Sequence, residues 1–560
     1  MLHSSFNTAL NRQVDLNILN KVEHKLSQEW SLFSKNEFKS AISKYSNSLA
    51  PGPDKLSWHH LKIILQNKAC LTNIINITDS CINLGYWPNY FKVSTTIVIP
   101  KPNKTLYDQL KAFHLIVLLN ILGKLIEKVV VKRLQFMVAS NESIYRSQLG
   151  GLKFKSTSDA GIALTHIVWS GWAKGKSTSS LAFDISQFFP LLNHKLLTLI
   201  LEKAGLNPKV TTFFVNYLVK RRTNYLWNDF FSLMFKVDIG VDQESTLSPI
   251  LSTLYLSLFL YILENRLKNL QIPISILSFV DNGLFIIQNK SLDISNSHLF
   301  CSYNVLSKLL DSFGLVIEHS KTEIFHFNKF QGFFNPPSLD LSLLGGSILQ
   351  PKDTWKYLGF IFDRKLTFHK HIDYYANKAI STVKCMKLLE NSLWGINPLQ
   401  KRLLYWCCIL PIALYSFQLW FYNKALLLYH MKILDKMQRR AAIWILGAFK
   451  TSPSEGIKAI AGIIPIKFHL QKITRRSQIC LFKLPSNHIL RNLIDDSTPS
   501  PFTPNSHSIG SLTNCQRTLT KGHLIDSYIK SHGIFQSFSP LNPEFSPSHC
   551  ITDNFSDRFF

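Results

Sequence analysis

Acidic residues are scarce in this chain: 35 Asp and Glu stand against 62 Lys and Arg, for a formal charge of +27. The imbalance runs along the whole length rather than sitting in one tail. It points to a polyanion, with nucleic acid the expected partner, because each neutralised phosphate releases counterions. Paired cysteines are missing too. The nine cysteines are odd in number and include no CxxC, so no disulfide framework is expected and a reducing compartment, nucleus or cytoplasm, fits. The opening MLHSSFNTALNRQ lacks the apolar core of a secretory signal. No internal repeat and no long block of like charge is present. Two stretches approach membrane-spanning length, Leu247 to Leu263 and Leu403 to Tyr422, but Pro and polar residues interrupt both. No membrane partner is expected.

What the chain has in quantity is apolar surface. Hydrophobic residues make up 46%, with 40 Phe and 11 Trp, which excludes a mostly disordered protein. Its 560 residues leave room for several structural units. Residues 1–48 read as a polar helical lead-in, with helix-type spacing in NEFKSAISKY. The Pro-Gly-Pro of NSLAPGPDKLSWHHLKIIL breaks that pattern before a helix restarts, and the β-branched run VSTTIVIPKP reads as a strand. From about 110 to 345 apolar helices alternate with short strands, an α+β pattern. Residues 346 to 480 are more helical, with YYANKAISTVKCMKLL and ILDKMQRRAAIWILGAF as clear amphipathic runs. Ser, Pro, Asn and Thr dominate after about 484, where a mobile tail is expected.

Four segments carry candidate chemistry. In SLAFDISQFFPLLNHKLL a short apolar strand delivers Asp184 at its end and turns into Phe188, Phe189 and Pro190. About sixty residues on, GVDQESTLSPILSTLYL places Gln243 in a turn ahead of a buried helix. In ILSFVDNGLFII two apolar strands flank Asp281-Asn282-Gly283, a hairpin signal that puts acidic side chains at a tip. FGLVIEHSKTEIFHF offers a turn, Lys321 and a further strand. Two-metal phosphoryl transfer needs carboxylates from separate strands around a pair of ions about 3.5 to 4 Å apart, and Asp184 with Asp281 meets that logic. A lone acidic turn is ordinarily just a turn. The order and spacing of all four give the signal its force.

Taken in that order, the segments resemble motifs A to D of reverse transcriptases, and the flanking blocks resemble the non-LTR, LINE-type retrotransposon branch. PGPDKLSWHHLK is similar to that family's APGPDG-like block, IVIPKPNK and IVLLNILGKLIEK to its fingers blocks, and QLGGLKFKSTSDA to its QxGF-like block. WKYLGFIFDRKLTFHKHI resembles the block after motif D, and LLYWCCILPIALYSFQLWF with Gln438 to Pro465 resembles the thumb. The resemblance spans roughly residues 48 to 480. It implies a right-hand polymerase with fingers at 49–180, a palm with an antiparallel sheet at 181–345, a mainly helical thumb and connection region at 346–483, and the tail at 484–560. It also implies an RNA template, a DNA primer, dNTP substrates and two Mg2+ ions, with Mn2+ as a substitute. Asp184 and the carbonyl of Ile185 match metal ligands in motif A, and Asp281 matches the first carboxylate of motif C. Phe189 matches the gate against a ribose 2′-hydroxyl, although Phe188 could exchange roles with it. Gln243 matches the residue near the incoming nucleotide. Lys321 matches the lysine that serves pyrophosphate, and equally reads as a solvated lysine at a strand start.

Several positions depart from that pattern. Asn282 stands where the family has a second Asp, removing a negative charge and presenting an NH2 donor that repels a cation. Glu244 stands where motif B has Gly, adding bulk and an anion near a triphosphate. His114-Leu115 stands where the fingers block has Arg-Pro, so a bidentate phosphate clamp is lost. The expected result is a damaged polymerase, or a relic of the same fold that binds nucleic acid without chemistry. No room for an endonuclease precedes residue 48, and neither a CCHC knuckle nor an RNase H block is legible, so the chain reads as a fragment of a larger element.

Overall fold

A computed structural model describes residues 14–491, apart from gaps at 20–21, 23, 28, 44, 48, 103–105, 109–111, 330–334, 390–394, 422–426 and 486–487. The expected tail lies almost wholly outside the described residues, as does the start of the N-terminal lead-in. The chain divides into two units, Met1–Leu366 and Thr367–Phe560.

Ten strands of the first unit build two sheets: β1 (Val93–Pro100), β2 (Phe113–Leu119), β3 (Gln148–Leu149), β4 (Ser177–Asp184), β5 (Arg221–Trp227), β6 (Phe230–Phe231), β7 (Phe235–Val237), β8 (Ile274–Phe279), β9 (Asn282–Asn289) and β10 (Glu323–Phe327). One sheet runs β2-β1-β5-β6 with β7 also on β5, and the other runs β10-β4-β9-β8-β3. The second sheet is antiparallel except where β3 joins β8. β4 lies inside it between β10 and β9, and Thr178 to Leu181 are buried without alternation, as expected of a strand covered on both faces. Helix Leu292–Ser312 packs on β4 and β9, and helix Thr157–Ala173 packs on β4, β8 and β9. The α+β expectation is met in this unit. A hairpin, Thr354–Tyr357 with Phe360–Asp363, closes the unit before its end at Leu366.

Helix Ser248–Asn269 accounts for the first apolar stretch that drew attention in the sequence. It is the one helix among the described residues long and apolar enough to cross a membrane, and 67% of its apolar window is buried inside the protein. The second stretch is broken: helix Pro398–Leu404 passes into a π turn at Tyr405–Ile409, a short helix at Leu410–Ala413, and a left-handed Ser416. Both belong to folded cores. The second unit also holds the two amphipathic helices read from sequence, as His369–Met386 and Leu427–Leu446.

Among the described residues an ion pair ties down the lead-in. Ser34 and Glu37 form a capping box at the start of helix Lys35–Ile42. Arg133, on helix Ile121–Ser140, pairs with Glu37 at 2.7 Å, donates to the carbonyls of Ser31 and Leu32, and lies over the Phe33 ring. Burial works against the Glu37 charge, but the Arg133 hydrogen bond and those from Ser34 outweigh it and hold the carboxyl at about 2. An ordinary glutamate sits near 4.3, so between the two values the unfolded chain binds more protons. The stabilisation is therefore full above the unfolded pKa and is lost as pH falls toward the folded one. The urea midpoints of Glu37→Gln and the unaltered chain should differ at neutral pH and converge from about pH 5 to about pH 3. A constant difference across that range would exclude the ionised pair as the cause.

Candidate functional site

Asp184 ends β4 in register with Asn282, which begins β9. Directly opposed residues of an antiparallel pair have Cα atoms about 4.5 to 5.5 Å apart, so two segments nearly a hundred residues apart in sequence meet here. Phe279 pairs with Asn282 across the β8–β9 hairpin, which leaves Val280 and Asp281 as its two-residue turn. This corrects the sequence reading: the turn is not Asp281-Asn282-Gly283, and both Asn282 and Gly283 are strand residues. Val280 carries the positive φ, 55°, at the first central position, where hairpins ordinarily place glycine. A β-branched residue held there costs about 1 to 2 kcal/mol, strain of a kind that collects at functional sites.

Backbone bonds lock the carboxylates together. Ile185 N–H donates to the Asp281 carbonyl at 3.2 Å, and Glu318 N–H donates to the Asp184 carbonyl at 2.9 Å. The latter bond, with the Ile185–Ile317 bridge, brings up the turn His319–Lys321. Lys321 Nζ donates to Asp184 Oδ2 at 2.6 Å. The Asp184 side chain is only 9% exposed, against 65% for Lys321. Asn282 Nδ2 donates to Asp281 Oδ1 at 3.1 Å. Burial, reinforced by the charge of Asp184, pushes the Asp281 carboxyl above the ordinary carboxylate range. Burial acts to lower the Lys321 ammonium, but its bond to Asp184 and the charges of Asp184, Asp281 and Glu318 prevail and raise it.

The structure gathers Asp184, Ile185, Asp281, Asn282 and Lys321 at one place. Phe188 is buried in the core and Phe189 is half-buried, so of the two candidates Phe189 is the more accessible. Gln243 and Glu244 are exposed in the turn ahead of helix Ser248–Asn269. That turn is fastened to the segment after Asp184: Val241 N–H donates to the Phe189 carbonyl and Gly240 N–H to the Leu192 carbonyl, each at 2.9 Å. Gly240 has φ +73°, and a Cβ there would lie within 2.7 Å of three backbone atoms of Pro190, so no other residue permits this approach. His114 stands apart, exposed on β2 in the other sheet.

Sequence reasoning missed what supports the Gln243 turn. Arg221 pairs with Asp242 at 3.1 Å and donates to the carbonyls of Ile239 and Gly240. Glu127, from helix Ile121–Ser140, accepts from Ser245, Thr246 and Tyr217. One signal was available, since Glu127 is an acid within LIEKVVV, where apolar neighbours on both sides are buried.

Among the described residues no three His, Cys, Asp or Glu groups cluster to hold a metal. The oxygen donors present, two carboxylates and the Ile185 carbonyl, suit a hard cation such as Mg2+, which keeps several waters and needs one or two carboxylates. The amide of Asn282 turns its NH2 toward Asp281, so it adds no anionic donor for a second ion.

The family model described as reverse transcriptase (RNA-dependent DNA polymerase) matches residues 99–362, from the end of β1 through the last hairpin of the first unit. The chain is 24% identical over 395 residues to the RNA-directed DNA polymerase from mobile element jockey of Drosophila funebris, covering 69% of this chain and 41% of that protein. It is 23% identical over 388 residues to the probable RNA-directed DNA polymerase from transposon BS of Drosophila melanogaster, covering 69% and 42%. It is 21% identical over 451 residues to the retrovirus-related Pol polyprotein from type-1 retrotransposable element R1 of Bradysia coprophila, covering 80% and 42%. The chain spans about two fifths of the length of these relatives. Residues 99–362 thus match the reverse transcriptase family, and over most of its length the chain is similar to the RNA-directed DNA polymerases of mobile elements.

Proposed function

We propose that the chain is the polymerase portion of such an element, an RNA-directed DNA polymerase that extends a DNA primer on an RNA template with dNTPs, and that its turnover is impaired. The observation that carries this reading is the register of Asp184 against Asn282 with Asp281 in the adjoining turn, a strand-end carboxylate beside a hairpin-turn one. In this reading residues 49–180 serve as fingers, 181–345 as palm and 346–483 as thumb and connection. Asp184, Asp281 and the Ile185 carbonyl would hold Mg2+, which would supply charge compensation for the attacking 3′-hydroxyl and the leaving pyrophosphate. Phe189 lines the sugar position, Gln243 contacts the incoming nucleotide, and Lys321 gives up Asp184 to protonate pyrophosphate. The charge of +27 suits a duplex held by its phosphates.

Impairment follows from Asn282, Glu244 and His114. Loss of even an indirect metal partner costs about 10 to 100-fold, and a direct ligand more. Primer extension on poly(rA)/oligo(dT) in Mg2+ or Mn2+ tests the proposal. Weak incorporation that disappears in Asp184→Asn is expected, and equal incorporation by both proteins would remove Asp184 from the chemistry. Asn282 also favours a second reading, a catalytically inactive nucleic-acid-binding relic, which tight duplex binding without any incorporation would select.

A further inference from the structure

Glu127 is 3% exposed, lies in the IVLLNILGKLIEK block with no role yet assigned to it, and has no part in the proposed chemistry. Its Oε2 accepts from Ser245 Oγ at 2.9 Å, Thr246 N–H at 3.1 Å and Thr246 Oγ1 at 3.3 Å, while Oε1 accepts from Tyr217 Oη at 3.0 Å. Tyr217 and Ser245 are themselves buried and lie 2.9 Å apart, hydroxyl to hydroxyl. Ser245 also receives the Leu247 N–H at 3.1 Å, just ahead of helix Ser248–Asn269. A carboxylate is the one side chain that accepts from four donors and needs none in return. Burial pushes this carboxyl upward in pKa, the Ser245 and Tyr217 bonds oppose that, and the Asp242 charge adds to it. So costly a group is retained in a core only where its partners are fully matched.

Helix Ile121–Ser140, which carries Glu127, follows β2 after a single residue, and His114 stands near the other end of that strand. Ser245 and Thr246, which Glu127 holds, come directly after Gln243 and Glu244. Arg221 fixes the other side of the same turn through Asp242, so the turn is clamped at both ends.

We propose that Glu127 is a positioning residue that fixes the Gln243–Glu244 turn relative to the β2 segment bearing His114, and thereby sets where an incoming nucleoside triphosphate is received. The nucleotide part rests on the polymerase reading above; the clamp itself does not. Glutamine keeps an oxygen for Ser245 and Thr246 and turns its NH2 toward the Tyr217 hydroxyl, which can accept. Alanine removes the acceptor of all four donors, and only the Tyr217 and Ser245 hydroxyls, 2.9 Å apart, have each other to turn to.

Amide hydrogen exchange on the full chain tests the clamp. Glu127→Ala is expected to speed exchange at Thr246 and Leu247 by about 10 to 100-fold, the loss expected for bonds to a charged acceptor, while β4 and β9 amides stay protected. Glu127→Gln should restore most of that protection. Unchanged exchange at Thr246 in the alanine variant overturns the proposal, and so does a loss spread evenly over the first unit. Should the alanine variant fail to fold, Tyr217→Phe, which removes one donor, is expected to loosen the same peptide, and an unaltered peptide there overturns the clamp equally. Titration of dTTP with Mg2+ onto protein bound to oligo(rA)/oligo(dT) tests the consequence. Affinity should fall about tenfold in Glu127→Ala and stay near the unaltered value in Glu127→Gln. Equal affinity in all three proteins removes the positioning role, whereas no dTTP binding even by the unaltered chain counts against the polymerase reading and leaves the exchange result standing.

Discussion

Asn282→Asp, combined with Glu244→Gly and His114→Arg, is expected to raise primer extension at least about a hundredfold over the unaltered chain, since each altered group bears on metal or phosphate binding. Asn282→Asp should supply most of the gain. Residue 282 pairs in register with Asp184 and its NH2 donates to Asp281 Oδ1, whereas Glu244 and His114 are exposed and in other segments. A carboxylate at 282 changes a hydrogen-bond donor to Asp281 into a third acidic group beside Asp184 and Asp281, whose carboxyl is already raised by burial and then by the Asp184 charge. Two like charges about 4 Å apart at an effective dielectric near 20 repel by about 4 kcal/mol. Without a cation the change should therefore lower the thermal midpoint. Added Mg2+ should recover it, because binding to the folded state alone stabilises by mass action. That reversal is a readout independent of turnover. Asp184→Ala in the restored protein should return extension to background. A restored chain that folds, shows the Mg2+ response and still fails to extend would confine the defect to the nucleotide side. One that folds and shows neither would refute the assignment of Asp184 and Asp281 as metal ligands.

The site was legible where local pattern and tertiary need agree. A short apolar strand ending in Asp184 and two apolar strands around Asp281 are period and composition signals, and the sheet honours both. The turn was misread by one to two residues for a physical reason. Asp-Asn-Gly is favoured at hairpin tips because Asn and Gly accept positive φ. Here Gly283 meets a different need: in β9 it faces Phe183 of β4, and that packing fixes the register, forcing the strained position onto Val280. Glu127 stood out as an acid in an apolar run, but its partners were illegible because they lie 90 and more residues away, and such a run carries no mark of what will meet it. The stretch from Leu403 was legible as interrupted, since it holds Pro and polar residues, but not where it breaks, at Leu414–Ser416, where Ser416 takes a left-handed φ of 51°.

The demand placed on Gly283 leads to the second large effect. A Cβ built there falls within 2.7 Å of three carbons of the Phe183 ring, whereas carbon atoms rest about 3.5 to 4.0 Å apart. The ring has no free path away, being 3% exposed and packed against Phe285 with ring centroids 4.9 Å apart. Gly283→Ala must therefore push β4 from β9 or force Phe183 off its rotamer, at a cost of about 3 kcal/mol, the upper part of the usual overpacking range. Asp184 follows Phe183 directly, so the displacement reaches the carboxylate pair, and misplacement by about 1 Å costs about a hundredfold in rate. Stability and extension should fall together. Phe183→Leu alone removes ring volume and leaves a cavity, costing about 1 to 3 kcal/mol, but the space it opens is the space the new methyl requires. The double variant should therefore be more stable than the two single losses predict, by about 1 to 3 kcal/mol of coupling, as residues in direct contact show. Urea unfolding of the four proteins measures that term. Strict additivity would mean that the methyl is accommodated by something other than Phe183, and the register of β9 would then need another explanation than the fit of this ring over a glycine.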